Sequence, residues 1–231
     1  MSHTVKNKSA KKRRDRRLHI VITAGPTREY FDSVRFISNP SSGKMGYAIA
    51  KAAGAMGHRV TLISGPVALD PPPGVKTISV TTAAEMAVAT RSAFQKADAA
   101  IFTAAVCDYR PKRRARLKMA KKNRSKSVEL VPTEDIAASL GRSKGRRLTI
   151  AFAMEDHHGR ANAERKMRRK RCDAIVLNGP ENVGSDRAKV EFLAEGCDWE
   201  TWRTASKSLV AGKLLKRLIL LANSTASGIR S

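Results

Sequence analysis

Residues 18–64 read LHIVITAGPTREYFDSVRFISNPSSGKMGYAIAKAAGAMGHRVTLIS. The opening run, Leu18-His19-Ile20-Val21-Ile22-Thr23-Ala24, is apolar and β-branched and closes on Gly25-Pro26, which predicts a buried strand ending in a turn. From Gly43 to Met56 small and apolar residues recur at helical spacing, and Gly57 follows where a helix C-terminus favours glycine. Arg59-Val60-Thr61-Leu62-Ile63-Ser64 then reads as a second strand. The stretch is therefore a strand, helix, strand unit with a long polar segment between its first two elements.

The same alternation continues outward. Thr82 offers an N-cap to a helix running to about Lys96, and Ala99 to Val106 is almost uniformly apolar, as a strand covered on both faces would be. A short strand near Val128–Val131, a helix from Thr133, a strand over Leu148–Met154, a basic helix over Ala161–Arg171 and a strand over Asp173–Leu177 follow. Lys189–Ala194 and Trp199–Arg203 fit a hairpin at a sheet edge, before a final amphipathic helix near Ala205–Ala222. Strands alternating with helices predict an α/β fold with a doubly wound, mostly parallel sheet, here with a small β-hairpin extension. One domain is expected over residues 18–222, between a basic disordered tail (1–17) and a C-terminal tail (223–231).

Composition narrows the function classes. The chain has 231 residues, 42% of them hydrophobic, enough for a sizeable core. No run reaches the roughly 18 apolar residues of a membrane span, and no apolar signal core follows the Lys/Arg-rich N-terminus, so a soluble, unsecreted protein is expected. Cys107, Cys172 and Cys197 are odd in number and widely spaced, which suits packing thiols in a reducing compartment rather than a disulfide framework or a zinc site. The net charge of +25 points to an anionic partner, whether nucleic acid, an acidic surface or phosphorylated small molecules. Much of that charge is clustered, in Lys6–Arg17, Arg110–Lys126 and Arg165–Arg171.

In a doubly wound sheet, ligands bind beyond the carboxyl ends of the strands, so the polar segments Gly25–Gly46, Cys107–Lys122 and Glu155–Lys170 are the candidate loops. In the first, the helix opening at Ser41-Ser42-Gly43 could hold a phosphate or carboxylate on backbone amides, or be only a structural helix entry. It is not a P-loop, because Met45 follows Gly43-Lys44, and not a full GxGxxG, because Ser41 takes the first glycine position. Asn39 could hold a polar intermediate, or simply make a turn before Pro40. Asp108 suits a base amino group, a sugar, a metal or a solvated turn. Lys118 lies in a stretch with no acidic residue between Asp108 and Glu129, which fits either a loop closing over a triphosphate or a solvated basic loop. Lys166 and Lys170, four apart, share a helix face that is either a phosphate clamp or plain surface.

The string Gly25-Pro26-Thr27-Arg28-Glu29, Asp32, Val34-Arg35, Ile37-Ser38-Asn39 and Ser41-Ser42-Gly43-Lys44-Met45-Gly46 closely resembles the opening of phosphopantothenoylcysteine synthetase domains. The resemblance continues through Ser64-Gly65-Pro66-Val67, Ala104–Tyr109, Glu134-Asp135-Ile136, Ala151-Phe152-Ala153 and Asn178, covering about residues 18–222. It implies a Rossmann-like, cytoplasmic homodimer that uses CTP, with Mg2+, to convert 4′-phosphopantothenate to an acyl-cytidylate, which cysteine then attacks, releasing CMP. By position in the motifs it implies catalytic roles for Asn39 and Lys118 and pantothenate contacts for Arg35, Asn39, Ala104 and Ala105. The implied nucleotide contacts are Asp108, Lys118, Glu134, Asp135, Ile136, Ala137, Phe152, Lys166 and Lys170. Leu117 stands where many relatives have glutamate and Glu134 where they have proline, so Lys121 and Lys122 remain alternatives to Lys118, and ATP an alternative to CTP. Relatives often carry a flavin-dependent decarboxylase domain upstream. Here only the basic tail precedes Leu18, so a separate decarboxylase protein is expected as a functional partner.

Two rival readings stand beside this one. A basic nucleic-acid-binding protein is favoured by charge but disfavoured by 5% aromatic content and the lack of a binding motif. A nicotinamide-dependent oxidoreductase is disfavoured by the missing glycine and by the lack of an acidic residue ending the Arg59–Ser64 strand.

Overall fold

β1 (His19–Ala24) is buried at every position, which its β-branched run requires, and lies inside the sheet with a parallel neighbour on each side. The computed structural model describes residues 17–121 and 123–226; the expected tail over residues 1–16, Lys122 and residues 227–231 lie outside the described residues. After β1 come β2 (Arg28–Tyr30), β3 (Phe36–Ser38), α1 (Lys44–Ala55), β4 (Arg59–Ser64), β5 (Lys76–Ser79), α2 (Ala83–Phe94), β6 (Ala99–Phe102), β7 (Tyr109–Pro111) and β8 (Leu130–Pro132). α3 (Ile136–Arg142), β9 (Leu148–Met154), α4 (Gly159–Lys170), β10 (Ala174–Asn178), β11 (Arg187–Ala194), β12 (Glu200–Ser206) and α5 (Lys207–Ala226) complete the chain.

The main sheet has the order β12-β11-β10-β9-β6-β1-β4-β5. Every pairing from β10 to β5 is parallel, and β11 and β12 extend the edge antiparallel, so the expected α/β architecture with a hairpin extension is the one observed. From β1 the chain moves outward through β4 to β5, then returns to the other side of β1 with β6 and moves outward again through β9 and β10. The order reverses between β1 and β6, and a crevice lies at the carboxyl ends of the parallel strands, lined by residues of the segments that follow both.

Alternation along the strands sends side chains to two faces. Ile20, Ile22, Leu62, Ile101, Ile150 and Val176 meet α1 and α5, through Ile49, Ala53, Leu214, Leu215 and Leu218. Val21, Ile63, Ala100 and Phe102 meet α2 and α3, through Met86, Phe94, Ile136 and Leu140. Ala151, Ala153 and Ile175 carry that second face on to α4, through Ala163 and Met167. Each fully buried aliphatic side chain contributes about 1.5–3 kcal/mol, so the faces hold the helices whose N-termini frame the crevice.

Several boundaries differ from the sequence expectations. The apolar run after Ala99 ends as a strand at Phe102, and Ala105 pairs instead with the loop after β1: Ala105 N donates to Gly25 O at 3.0 Å and Thr27 N to Ala105 O at 3.3 Å. Helix α3 begins at Ile136, not Thr133; the Thr133 hydroxyl donates to Cys107 O at 2.6 Å and Asp135 is the cap. The stretch expected as loop after β1 contains the hairpin β2–β3. β5 was not anticipated, and residues 223–226, expected in a tail, continue α5. Thr82 caps α2 as expected, in a reciprocal capping box with Glu85.

Candidate active site

The crevice is a cleft of about 560 Å3. Its floor is Thr103–Val106, reached from one side by the loop carrying Asn39 to Gly46. Asn39 Nδ2 donates to Ala105 O at 3.2 Å and to Val106 O at 3.1 Å, which fixes the amide's orientation. An aspartate could not copy this, since both partners are acceptors. Gly43 caps α1 with φ +73° and without a side-chain cap, so no capping side chain accepts from the first amides of that helix. Gly46 lets the helix start press onto the floor: a Cβ there would lie 2.5 Å from both Ala24 Cβ and Thr103 Oγ1.

One wall comes from α3 and α4. Asp135 Oδ1 accepts from Ala138 N at 3.1 Å as helix cap and from Lys170 Nζ at 2.9 Å, while Arg169 lies 3.4 Å from Oδ2. Burial pushes the Asp135 carboxyl up, but Lys170, the Ala138 amide and Arg169 outweigh it and hold the group below its usual value. Lys166 pairs with Glu155. Glu134 pairs with Arg91 at 2.6 Å and is held low first by a hydrogen bond from Ser139. The close approach that sets Lys170 opposite Asp135 depends on Gly141, where a Cβ would fall 1.9 Å from Lys170 O. Asp108, exposed, and Phe152, half-buried, also line the cleft, as do Ile136 and Ala137.

The other wall comes from α1, α5 and the segment between β10 and β11. Lys44, first residue of α1, reaches Asp186 at 2.6 Å and Gly184 O at 3.2 Å. Lys207, first residue of α5, is only 8% exposed and donates to Asn182 O at 3.1 Å. Burial, and then the charge of Lys44, push its ammonium below the usual lysine range. Asn182 is itself fixed by two hydrogen bonds with the Lys189 backbone, at 2.8 and 3.1 Å.

Of the candidates read from the sequence, Asn39, Ala104, Ala105, Asp108, Glu134, Asp135, Ile136, Ala137, Phe152, Lys166 and Lys170 line this one cleft. Arg35 and Lys118 do not. Fully buried Asp32 accepts from the amides of Val34 (2.8 Å), Arg35 (2.7 Å) and Met119 (3.2 Å), and the Arg35 guanidinium contacts both Asp32 and Met119 O. The Arg35 amide, with those of Val34 and Met119 and the Arg35 charge, draws the Asp32 carboxyl down to about 2. Ala115 N donates to Phe31 O at 3.0 Å, and Arg114 stacks 4.7 Å over Tyr30. The basic segment thus lies on the β2–β3 hairpin, with Lys118 and Lys121 exposed; Lys122 is outside the described residues.

Sequence reasoning missed Lys207 and Asn182 and gave Lys44 no role. One signal was available: a lysine in the first turn of a helix opposes the helix dipole, and both lysines hold that position. Among the described residues no cluster of three or more His, Cys, Asp or Glu could hold a metal ion, and no helix is long and apolar enough to cross a membrane.

Comparison with known proteins follows this geometry. Residues 16–221 match the family model described as DNA/pantothenate metabolism flavoprotein C-terminal domain. The chain is 47% identical over 168 residues to the coenzyme A biosynthesis bifunctional protein CoaBC of Bacillus subtilis (strain 168), covering 72% of this chain and 41% of that protein. It is 39% identical over 210 residues to a cysteine/cysteine sulfinic acid decarboxylase of an unknown prokaryotic organism, covering 88% of this chain and 58% of that one. The chain therefore spans about half the length of the curated relatives it matches. A crystal structure of the C-terminal domain of a coenzyme A biosynthesis bifunctional protein CoaBC superposes with a TM-score of 0.79 at 38% identity, over 90% of this chain and 96% of that domain. With the family model matched from residue 16 to residue 221, this chain belongs to the DNA/pantothenate metabolism flavoprotein C-terminal domain family.

Proposed function

We propose that this chain is a ligase of coenzyme A biosynthesis, joining 4′-phosphopantothenate to cysteine at the expense of CTP. The carboxylate of the acid attacks the α-phosphorus of CTP and pyrophosphate leaves. The cysteine amine then attacks the acyl carbon of the resulting acyl-cytidylate, CMP departs, and an amide remains. No side chain need act as a nucleophile; positioning and charge stabilisation suffice.

The observation that carries this reading is the Asn39 amide, fixed by two backbone carbonyls on the cleft floor between two lysine-bearing walls. In this reading Asn39 holds the acyl-cytidylate, and Ala104 and Ala105 lie along the pantothenate. Asp108, Glu134–Ala137 and Phe152 meet the nucleotide, and Lys166 and Lys170 meet its phosphates. Magnesium enters as the nucleotide complex, for which an all-protein cage is not needed. Lys118 joins the site when its segment leaves the β2–β3 hairpin and closes over the triphosphate. The chain acts in the cytoplasm as a homodimer, a state supported by the apolar residues Val34, Phe36 and Ile37 exposed on that hairpin. Arg35 reaches the pantothenate from there.

The test is pyrophosphate release by the purified protein with 4′-phosphopantothenate, magnesium and either CTP or ATP, with and without cysteine. Release with formation of the cysteine amide supports the ligase and identifies its nucleotide. Silence with both nucleotides, from folded protein, rejects it.

A further inference from the structure

The cleft occupies the carboxyl ends of the parallel strands, and the amino ends have a different character. Each strand of the parallel run is entered through a cation: Arg171 precedes β10, Arg146 precedes β9, Lys96 precedes β6, Arg17 precedes β1, Arg59 opens β4 and Lys76 opens β5. All are exposed, and among the described residues none of them is paired with a carboxylate. Because the strands run parallel in the order β10-β9-β6-β1-β4-β5, these side chains form one row across the end of the sheet. Neighbouring strands lie about 4.8 Å apart, so the row is about 24 Å long. The acidic groups here are engaged by the chain: Asp98 accepts from the His19 amide at 2.8 Å, and Asp173 accepts from the Thr149 amide at 2.8 Å and pairs with Lys144 at 2.7 Å. Glu195 and Asp198 are exposed, but in the β11–β12 turn past the edge of the row. Helices α1 to α4 also end at this face, and each C-terminus offsets about half a charge. The row exceeds that, and the Lys/Arg-rich segment Lys6–Arg17, with Asp15 as its single acid, leads directly into β1 inside the row. Arg171 even holds a left-handed conformation, φ +51°, at the C-cap of α4, where glycine is favoured, so its charge stands there at a cost in backbone conformation.

We propose that this row binds the phosphate backbone of a nucleic-acid duplex without reading its sequence. A duplex carries one negative charge per about 1.7 Å of its axis, so about 24 Å of it presents about 14 charges to the row. Single strands are bound by stacking bases on aromatic rings. The exposed aromatic side chains, Phe36 and Tyr109, belong to the hairpins at the cleft end instead. An acidic protein partner would seat apolar anchors, and the exposed apolar group Val34, Phe36 and Ile37 likewise lies at the cleft end. Long-range attraction between unpaired surface cations and phosphates is what this face offers. The inference is independent of the ligase reading, because the row and the cleft lie at opposite ends of the strands.

The test measures binding of the full chain, without substrates, to a fluorescent DNA duplex of about 24 base pairs over about 50–200 mM salt. The same duplex in RNA form, the corresponding single strand and polyglutamate are the other probes. Wild-type protein is compared with a row variant, Lys76→Gln with Arg146→Gln and Arg171→Asn, asparagine being tolerated in the left-handed region. A control variant, Lys51→Gln with Arg203→Gln and Lys216→Gln, removes as many exposed cations elsewhere. The row variant should bind both duplexes about 10- to 100-fold more weakly at about 100 mM salt, and its log–log salt slope should be shallower by about 2–3. The control variant should stay close to wild type. Equal losses in the two variants would reduce the effect to net charge and overturn the proposal. Wild-type binding by the row variant would overturn it too, by moving the contact off the row. Tighter binding to the single strand or to polyglutamate than to either duplex would replace the duplex with another partner. Pyrophosphate release, measured separately, should be the same in the row variant as in wild type, so a failed ligase assay leaves the binding result standing on its own.

Discussion

The two walls of the cleft carry the same residue type in opposite electrostatic settings. On the α3/α4 wall, Lys166 faces Glu155, and Lys170 faces Asp135, which Arg169 shares, so every one of these cations is paired with a carboxylate and held in place by the chain. On the α1/α5 wall, two lysines share one exposed carboxylate, and the more buried of them has only a carbonyl. A wall of paired cations suits a ligand that arrives with its own cation, as a magnesium–nucleotide complex does. A wall with surplus positive charge suits a bare anion. A basic net charge alone could not make this distinction, because it lies in which lysines have partners.

The largest effect should come from the group between the walls. Asn39→Asp would set a carboxylate against the Ala105 and Val106 carbonyls and remove a fixed donor, and should lower kcat/KM by about 100- to 1000-fold with the fold intact. Steady-state kinetics beside circular dichroism checks it; wild-type activity in this variant would remove the floor from the mechanism. Gly46→Ala should come next, costing about 1–3 kcal/mol of stability by overpacking, because its Cβ would collide with Ala24 and Thr103. Urea denaturation measures that cost, and a neutral result would mean the α1 start can withdraw from the floor.

The paired wall makes a smaller, sharper prediction. A double-mutant cycle of Asp135→Asn and Lys170→Met should show a favourable coupling of about 0.5–1 kcal/mol, since the pair is partly solvated. Zero coupling would erase the difference between the walls. The smallest effect concerns Asp32, which holds the basic segment on the β2–β3 hairpin. Its carboxyl sits at about 2 when folded against an ordinary 3.8, so its contribution is present above the ordinary value and is lost as pH falls toward 2. The protection of the Met119 amide against hydrogen exchange, relative to the intrinsic rate at each pH, should fall over that window, and Asp32→Asn should quicken tryptic cleavage of residues 112–121 at neutral pH. Unchanged exchange and cleavage would show that the segment is held by Arg114 and Ala115 instead.

Where hydrophobic pattern and local chemistry agreed, the sequence could be read closely. The buried run of β1, the small-residue helix α1, the capping box at Thr82 and the full extent of β9 follow from periodicity and capping. The run after Ala99 was overextended because apolar residues forming a cleft floor look the same as residues buried in a sheet. Asp135 could be read as a nucleotide-turn residue by resemblance, but not as both the cap of α3 and the partner of Lys170, which lies 35 residues away. Arg35 and Lys118 were placed by motif alone, and their distance from the cleft reflects a contact between Asp32 and Met119 that is 87 residues long in sequence.

The sequence by itself determined the parallel α/β architecture, the loops that end its central strands and the family to which those loops belong. Local patterning and a long specific motif suffice for that, because strand period, helix period and turn chemistry are properties of neighbouring residues. Only the tertiary structure decided which charges are paired. Ion pairing depends on which helix ends the crossover connections bring together at the point where the strand order reverses. Lys207 looks like any surface lysine in the sequence; the packing of α5 against α1 buries it beside Lys44 at the mouth of the cleft.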